Sequence, residues 1–257
     1  LFFSALFLGL GWLMGAQGYT PPNLYLNSPY VLAHNVALLS LSVVFPALFF
    51  TISGLLRDQE YNFQGLFFST AVRRSTYFWS RFAGVFTMTM LAFSMMLPGL
   101  VLGLETTGVE PDRILSGQTW SYLYLWLVFI LPNSLVCAVV IFGVGLLSHS
   151  RLAVYTVAIG IYALYWLCSV FLNSPLLASA QPPAPENMIW AALADPFGIS
   201  AFLEQTMYWT AVQKNAQLPT LSGYFLLNRS FWMGLAIVLL FYCYHRFAFQ
   251  PSLPKAN

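Results

Sequence analysis

The shortage of charged side chains constrains this chain more than any other feature of its sequence. Charged residues make up 7% of the 257 positions, whereas an ordinary soluble domain carries about 25%. The hydrophobic share is 59% and the mean hydropathy is +0.71. Because so few charges do not cover a water-facing surface, we infer that the chain folds in lipid.

Six apolar segments are candidates for membrane helices, which need roughly 20 residues to cross a bilayer. They are Leu1–Gln17, His34–Leu56, Tyr77–Leu104, Trp120–Leu147, Leu152–Leu172 and Phe231–Phe249. The first is the shortest, and we expect it to be a span whose start lies before Leu1. We therefore predict an all-α membrane protein, with six transmembrane helices forming a single domain over residues 1–257.

The basic residues predict how these helices are oriented, since Lys and Arg concentrate in cytoplasmic connections. The connection Arg57–Arg81 holds four arginines, and three more basic residues fall on the same side if six spans alternate. These three are Arg151, Arg246 and Lys255. The opposite side holds only Arg113, Lys214 and Arg229. We therefore predict that both termini are cytoplasmic.

Proline and glycine interrupt several of the predicted spans. Pro46, Pro98–Gly99 and Pro132–Ser134 lie inside the second, third and fourth spans. They are either ordinary kinks of a packed bundle or a hinge or polar lining in a pathway. Two further sets, Gly11-x-x-x-Gly15 and Gly99-x-x-x-Gly103, match the small-residue pattern that lets two membrane helices pack closely.

The stretch from Arg57 to Phe82 contains six of the chain's 18 charged residues. Its part Asp58–Thr70 is too charged to span lipid, and we predict a helix lying on the membrane surface. Three apolar residues share one face of that helix, acidic residues near its start suit the helix dipole, and Ser75 is expected to cap the next span. The stretch is either a basic loop or a docking helix for a cytoplasmic partner. The residues predicted to bind such a partner are Asp58, Glu60, Phe63, Leu66, Phe67, Arg73 and Arg74.

The connection before the last span, residues 174–228, is predicted to be extracytoplasmic. Asp195-Pro196 indicates an N-cap followed by proline at the first helical position. We expect an amphipathic helix from there to about Val212, and Pro219 and Gly223 break the chain before the last span. A loop that simply covers the bundle is the alternative interpretation.

The order of residues between the second and third spans resembles the permease subunits of ABC-2 type transporters. Arg57–Glu60 and Ser69–Arg74 occupy the places of an acidic helix and the turn that follows it in that family, although Ala71 stands where many members have proline. The resemblance implies that residues 58–75 contain the coupling helix. It also implies two partners: an ABC ATPase subunit that holds ATP and Mg, and a second six-span permease unit, identical or not.

A second set of residues resembles, more narrowly, bacterial ABC-2 permeases, often from large proteins that also carry a second membrane half and an aminopeptidase domain. The matching residues are Asp195, Pro196, Phe197, Gly198, Trp209, Thr210, Lys214, Asn215, Asn228, Arg229 and Trp232. This resemblance implies short outer helices that partly re-enter the membrane between spans five and six. It also implies a location in the bacterial inner membrane and the transport, by export, of an apolar or amphipathic substrate.

Motifs for chemistry within this chain are absent from its sequence. A P-loop requires a lysine after a glycine-rich loop, and the only lysines, Lys214 and Lys255, have other surroundings. We therefore expect no enzyme activity and no cofactor or metal in this chain. The net charge of +2 without basic runs also argues against nucleic acid, and Cys137, Cys168 and Cys243 lie in apolar runs where we expect them to be buried.

No charged residue falls at the centre of a predicted span, which argues against an ion-coupled pump. Two functions remain open. The first is a transport permease driven by a separate ATPase. The second is a membrane anchor or scaffold of a larger enzyme complex that transports nothing.

Overall fold

A computed structural model describes residues 1–17, 20–57, 73–106, 111–171 and 185–247. These residues form helices and connections without a strand. Five of the described helices are long and apolar enough to cross a membrane: α2 (Pro29–Leu56), α3 (Arg74–Thr106), α4 (Thr119–Ser148), α5 (Arg151–Phe171, apolar over Arg151–Ser169) and α9 (Gly223–Arg246). The first helix, α1 (Phe2–Gln17), is apolar but shorter. The prediction of an all-α, multi-pass membrane protein is confirmed at this level.

The described part of the connection between α5 and α9, residues 185–222, contains three short helices: α6 (Pro185–Ala194), α7 (Ile199–Thr206) and α8 (Ala211–Ala216). The predicted single helix from Pro196 to Val212 is therefore wrong. Gly198 has a left-handed φ of 71° directly before α7, so the chain turns there instead of continuing a helix. α8 has its own start, because Thr210 and Gln213 form a capping box.

Each proline noted inside a span lies beside a local departure from α-helical geometry. Pro46 follows a 3-10 segment at Ser40–Val43, Pro98 follows a turn at Met95, and Pro132 follows a π-helical segment at Trp126–Ile130. A proline ring has no N–H for the carbonyl four residues earlier and clashes with it, so the preceding turn must change. We therefore infer that α2, α3 and α4 bend at these positions.

α1 packs parallel to the second half of α3 through the two glycine pairs. Gly11 and Gly15 face Gly99 and Gly103 across the contact, and at all four positions a backbone carbonyl of the opposite helix fills the space of a Cβ. The backbones therefore touch without intervening side chains, as the Gly-x-x-x-Gly pattern predicts. Phe7 of α1 then reaches Phe93 of α3 in an edge-to-face contact of 5.1 Å between ring centroids.

The helix ends divide the bundle into two chemically different ends. Phe78 near the start of α3 contacts Phe142 late in α4 and Tyr244 late in α9, which places these helix ends together. We call this the arginine end, because it carries Arg57, Arg73, Arg74, Arg151 and Arg246. The opposite, loop end holds segments 20–28 and 111–118 and helix α8.

We predict that Gly11→Ala destabilises the protein and Gly9→Ala does not. A Cβ at Gly11 meets backbone atoms of α3, whereas nothing lies within 4 Å of one at Gly9 on the same helix. Overpacking of this kind costs about 1–3 kcal/mol, while replacing an uncrowded helical glycine gains up to about 1 kcal/mol. Thermal unfolding of both variants in the same detergent measures the difference. Equal midpoints would contradict the close backbone contact between α1 and α3.

Candidate functional site

The predicted partner-binding residues fall into two groups in the structure. Asp58, Glu60, Phe63, Leu66 and Phe67 lie outside the described residues, together with the predicted surface helix. Arg73 and Arg74 are described: Arg73 directly precedes α3, and Arg74 is the first residue of this helix. Ser75 lies inside α3, so its predicted role as N-cap is wrong; Arg73 occupies that position and makes no side-chain capping bond. The partner-binding role of this set stays a prediction.

Arg74 joins the start of α3 to the end of α9. Its Nη2 donates hydrogen bonds to the carbonyl oxygens of Tyr244 and His245, the latter at 3.0 Å. Its guanidinium also lies 5.1 Å from the centroid of the Tyr244 ring. These carbonyls belong to the last turn of α9, where no helical N–H remains to pair with them and the helix dipole favours a cation. One arginine thus satisfies a helix terminus and fixes a second helix to it.

An aromatic cluster extends this joint into the bundle. We define it as Tyr77, Phe78, Phe82, Phe142, Tyr244 and Phe247. Phe78 is fully buried at its centre, with ring centroids 5.7 Å from Phe142 and 5.2 Å from Tyr244. Tyr77 stacks on Phe247 at 5.9 Å. Since rings from three helices interlock, α3, α4 and α9 are held as one unit at the arginine end.

The second candidate feature is a hairpin formed by α6 and α7, which is inserted among the long helices. Its turn, Asp195–Gly198, lies against the middle of α4, where the side-chain amide of Asn133 donates to the Phe197 carbonyl at 3.2 Å. Phe197 and Phe202 are buried in the main hydrophobic core of the bundle. Phe202 contacts Phe129 of α4 at 6.0 Å between centroids. The hairpin is therefore part of the bundle interior.

A buried polar cluster, which we define as Asn133, Asp195, Asn228 and Arg229, holds the hairpin turn in place. Each of the four residues is at most 4% exposed. The Asp195 carboxylate accepts hydrogen bonds from the backbone N–H groups of Phe197 at 2.8 Å and Ser200 at 2.7 Å. Arg229 Nη1 donates to Asn133 Oδ1 at 2.8 Å, so the guanidinium bridges α9 and α4.

Asn228 connects the guanidinium to the end of α6. Its Oδ1 accepts from Arg229 Nε at 3.0 Å and Nη2 at 2.6 Å. Its Nδ2 donates to the carbonyls of Ala192 at 2.7 Å and Asp195 at 2.8 Å, which lie at and just past the end of α6. Helix-end carbonyls buried without partners are costly, and here one side-chain amide pairs with them.

Gly198 provides the room that Arg229 needs. A Cβ at Gly198 would collide with the guanidinium, and the residue has a left-handed φ of 71°. Both the space and the backbone conformation therefore require glycine at this position. The Asp195–Gly198 and Asn228–Arg229 sequences form the two sides of one contact.

The predicted start of the last span, Phe231, is wrong, and its earlier start places a charged residue, Arg229, inside a membrane helix but not at its centre. Helix α9 begins at Gly223, eight positions before the predicted start, so Arg229 lies within it and is 4% exposed. The two polar residues Asn228 and Arg229 break the apolar run, and hydropathy therefore placed the start of the helix after them. The signal that identifies them is their contact with the hairpin turn: the Asn228 amide donates to the Asp195 carbonyl at 2.8 Å, and this partner lies 33 positions away, beyond the reach of a hydropathy pattern.

The polar cluster has a structural role, because its hydrogen bonds connect α4, α9 and the hairpin turn. A buried charge is costly unless it is paired, and here the guanidinium and the carboxylate lie in the same cluster with hydrogen bonds to each. In the part of the chain that the structure describes, no group of three or more His, Cys, Asp or Glu residues is arranged to hold a metal ion. Cys137, Cys168 and Cys243 are free and buried, as predicted.

The long apolar helices and the inserted hairpin define the class to which this chain belongs, a multi-pass helical membrane protein. Comparison with known proteins assigns no narrower class: no protein-family model matches the sequence, and no curated protein matches it as a relative.

We predict that Arg229→Met and Asn133→Ala destabilise the protein in a coupled manner. Each variant leaves a buried polar group without its hydrogen-bond partner, which costs about 1–3 kcal/mol and more for a charged group, and residues of one network couple by about 0.5–3 kcal/mol. The free energy of unfolding is measured by chemical denaturation for wild type, both single variants and the double variant in the same detergent. The coupling energy is the difference between the effect of the double variant and the sum of the two single effects. As a control pair, Asn133→Ala and Asn215→Ala should be additive, since Asn215 bonds to Tyr25 and Asn23 at the loop end. Additivity in the first pair would contradict the bridge between α4 and α9.

Proposed function

We propose that this chain is the transmembrane permease subunit of an ATP-driven transporter, powered by a separate ATPase subunit. The observation that carries the proposal is the contact of Arg74, which ties α3 to α9 four positions after the predicted docking helix Asp58–Thr70. A partner that moves this segment would therefore move two membrane helices, α3 and α9, at the same time. The resemblance of residues 57–74 to the ABC-2 coupling region supports the same assignment.

In this proposal, α9 transmits the movement from the arginine end to the hairpin. Arg74 and the aromatic cluster contact the last turn of α9. Near the start of α9, Asn228 bonds to the hairpin turn and Arg229 bonds to α4. The two contacts lie about 22 Å apart along the helix at ~1.5 Å per residue. A tilt imposed at one end would therefore displace Asp195–Gly198 at the other.

The bends of α2, α3 and α4 suit such a movement. Each lies next to a proline, where one backbone hydrogen bond is already missing and bending costs less than in an intact helix. By contrast, α1 follows the second half of α3 closely through the glycine pairs. The bundle thus combines tight contacts between helices with a few positions where a helix can bend. A permease that changes conformation requires both.

The remaining parts of the proposal concern topology, partners and substrate. The arginine end faces the cytoplasm under the positive-inside rule, both termini are cytoplasmic, and the membrane is the bacterial inner membrane. The α6–α7 hairpin is the re-entrant element between spans five and six, and α1 is the first of six spans. A second six-span unit completes the pathway, ATP and Mg bind the ATPase, and an apolar or amphipathic substrate is exported.

The alternative is a membrane anchor or scaffold that binds a partner without moving a substrate. It predicts a stable complex in which nucleotide changes nothing in the bundle. Copurification in mild detergent, followed by measurement of ATP hydrolysis with and without this chain, separates the two functions.

We predict that the double variant Phe63→Asp/Phe67→Asp loses the ATPase while it still inserts into the membrane. The two aromatic residues share the predicted docking face, and charge there opposes an apolar contact. The matched control Asn62→Asp/Ser69→Asp adds the same charge at positions off that face and should retain the ATPase. Affinity copurification from membranes measures both. Retention of the ATPase by the first variant at wild-type levels would contradict the docking role.

We predict that Arg74→Gln weakens the coupling of the ATPase to the bundle, measured at saturating ATPase so that any loss of its predicted binding contact is overcome. Loss of the bonds to Tyr244 and His245 releases α9 from α3, and mutations along a coupling route change coupling by roughly 2- to 30-fold. Arg246→Gln removes the same charge from an exposed position at the same end and serves as the control. The readout is stimulation of ATP hydrolysis by this chain in reconstituted vesicles. A loss of the same size in both variants would point to charge rather than to the joint.

A further inference from the structure

A polar pocket lies at the loop end, between the start of α2, segment 20–28 and helix α8. Its volume is about 220 Å³. Tyr30, His34, Asn35 and Lys214 supply its polar side chains, and Leu24 and Val31 contribute to its apolar wall. This pocket is remote from the arginine end and shares no residue with the polar cluster.

The walls of the pocket are held in place by hydrogen bonds on two sides. Asn27 pairs with the backbone of Leu115 through two bonds of 2.6 and 2.7 Å, which fixes segment 20–28 to the connection before α4. Asn215 accepts from the Tyr25 N–H at 3.0 Å and donates to the Asn23 carbonyl at 3.1 Å, which fixes α8 to the same segment. The neighbouring Lys214 is thereby positioned by its helix.

The pocket carries the positive charge of Lys214, and no described Asp or Glu lines it. Lys214 Nζ lies 4.7 Å from the centroid of the Tyr30 ring, a cation–π contact that leaves the ammonium charge in place. Tyr30 in turn stacks with His34 and packs against Phe202. The described residues that line the pocket include no Asp or Glu. The site therefore attracts an anion.

Asn35 supplies a buried hydrogen-bonding group that the described chain leaves unpaired. Its side chain is 7% exposed and lines the pocket, yet none of the described residues forms a hydrogen bond with it. The amide is accessible from the pocket, so a ligand that accepts its N–H bond gains a hydrogen bond in a largely enclosed site. Lys214 and Asn35 thus present two donors to the same space.

We propose that this pocket binds the carboxylate or phosphate group of a small amphipathic anion, with the apolar body of the ligand against Leu24 and Val31. The volume is below the roughly 300 Å³ at which drug-sized ligand sites begin, so the pocket suits one short chain or one ring. The site exists whether or not the chain is a transporter, and its test requires no ATPase. The anion comes either from a lipid headgroup or from a free solute.

The experiment uses the full chain in phosphatidylcholine nanodiscs, titrated with sodium benzoate by isothermal calorimetry. We expect saturable binding with a millimolar or tighter dissociation constant, and at least ten-fold weaker binding of the neutral benzyl alcohol. Lys214→Met should weaken benzoate binding by about ten-fold or more, because a charge-assisted bond is lost. Arg246→Met removes the same charge at the other end and should bind as wild type. Absence of saturable binding, or equal affinity in Lys214→Met and wild type, overturns the proposal.

A second variant keeps the test independent of folding. Asn35→Leu removes the unpaired amide and should weaken benzoate binding roughly 2- to 10-fold, while its thermal midpoint stays at or above that of wild type. Unchanged affinity in this variant contradicts the role of Asn35. Nanodiscs that also contain phosphatidylglycerol then separate the two sources of anion. If phosphatidylglycerol weakens benzoate binding to wild type but not to Lys214→Met, the natural anion is a lipid headgroup. If phosphatidylglycerol leaves the benzoate affinity unchanged, the natural anion is a free solute.

Discussion

The contact of Asn228 and Arg229 with the hairpin turn and α4 is the one on which the interior of this bundle depends. Away from water, a guanidinium, a carboxylate and the carbonyls of a helix end all need partners within the protein. Asn228 and Arg229 satisfy these groups together and reach Asn133 on α4. Without that contact, the polar backbone groups of the turn would be buried among apolar helices without hydrogen-bond partners, which costs free energy.

The two kinds of helix joint in the structure have different physical bases. α1 and α3 meet through glycines, where backbone contact and dispersion replace side-chain packing. α9 is held by side-chain hydrogen bonds to carbonyl groups near both of its ends: the Asn228 amide donates to the Asp195 carbonyl, and the Arg74 guanidinium donates to the His245 carbonyl. A single helix therefore connects the hairpin to the arginine end, which is the basis of the proposed coupling.

Sequence patterns predicted the long helices well and the connection before α9 poorly. Predicted and observed bounds of α3 and α4 differ by three residues or fewer, because long apolar runs dominate their local signal. The glycine pairs also predicted a real close contact. The failures, a helix from Pro196 to Val212 and a last span starting after Arg229, both concern polar residues whose partners lie elsewhere in the chain. The predicted docking helix lies outside the described residues and stays a prediction.

The amino-acid sequence by itself determined the lipid environment, the helical class and the unequal distribution of basic residues, since each of these follows from composition or from neighbours along the chain. Only the tertiary structure decided that Arg229 is an interior residue, that Asn35 and Lys214 share a pocket, and that Arg74 caps α9. The physical reason is separation: Asn133 and Arg229 are 96 positions apart, and Arg74 and Tyr244 are 170 apart. No local pattern encodes which distant groups will satisfy one another once water is excluded.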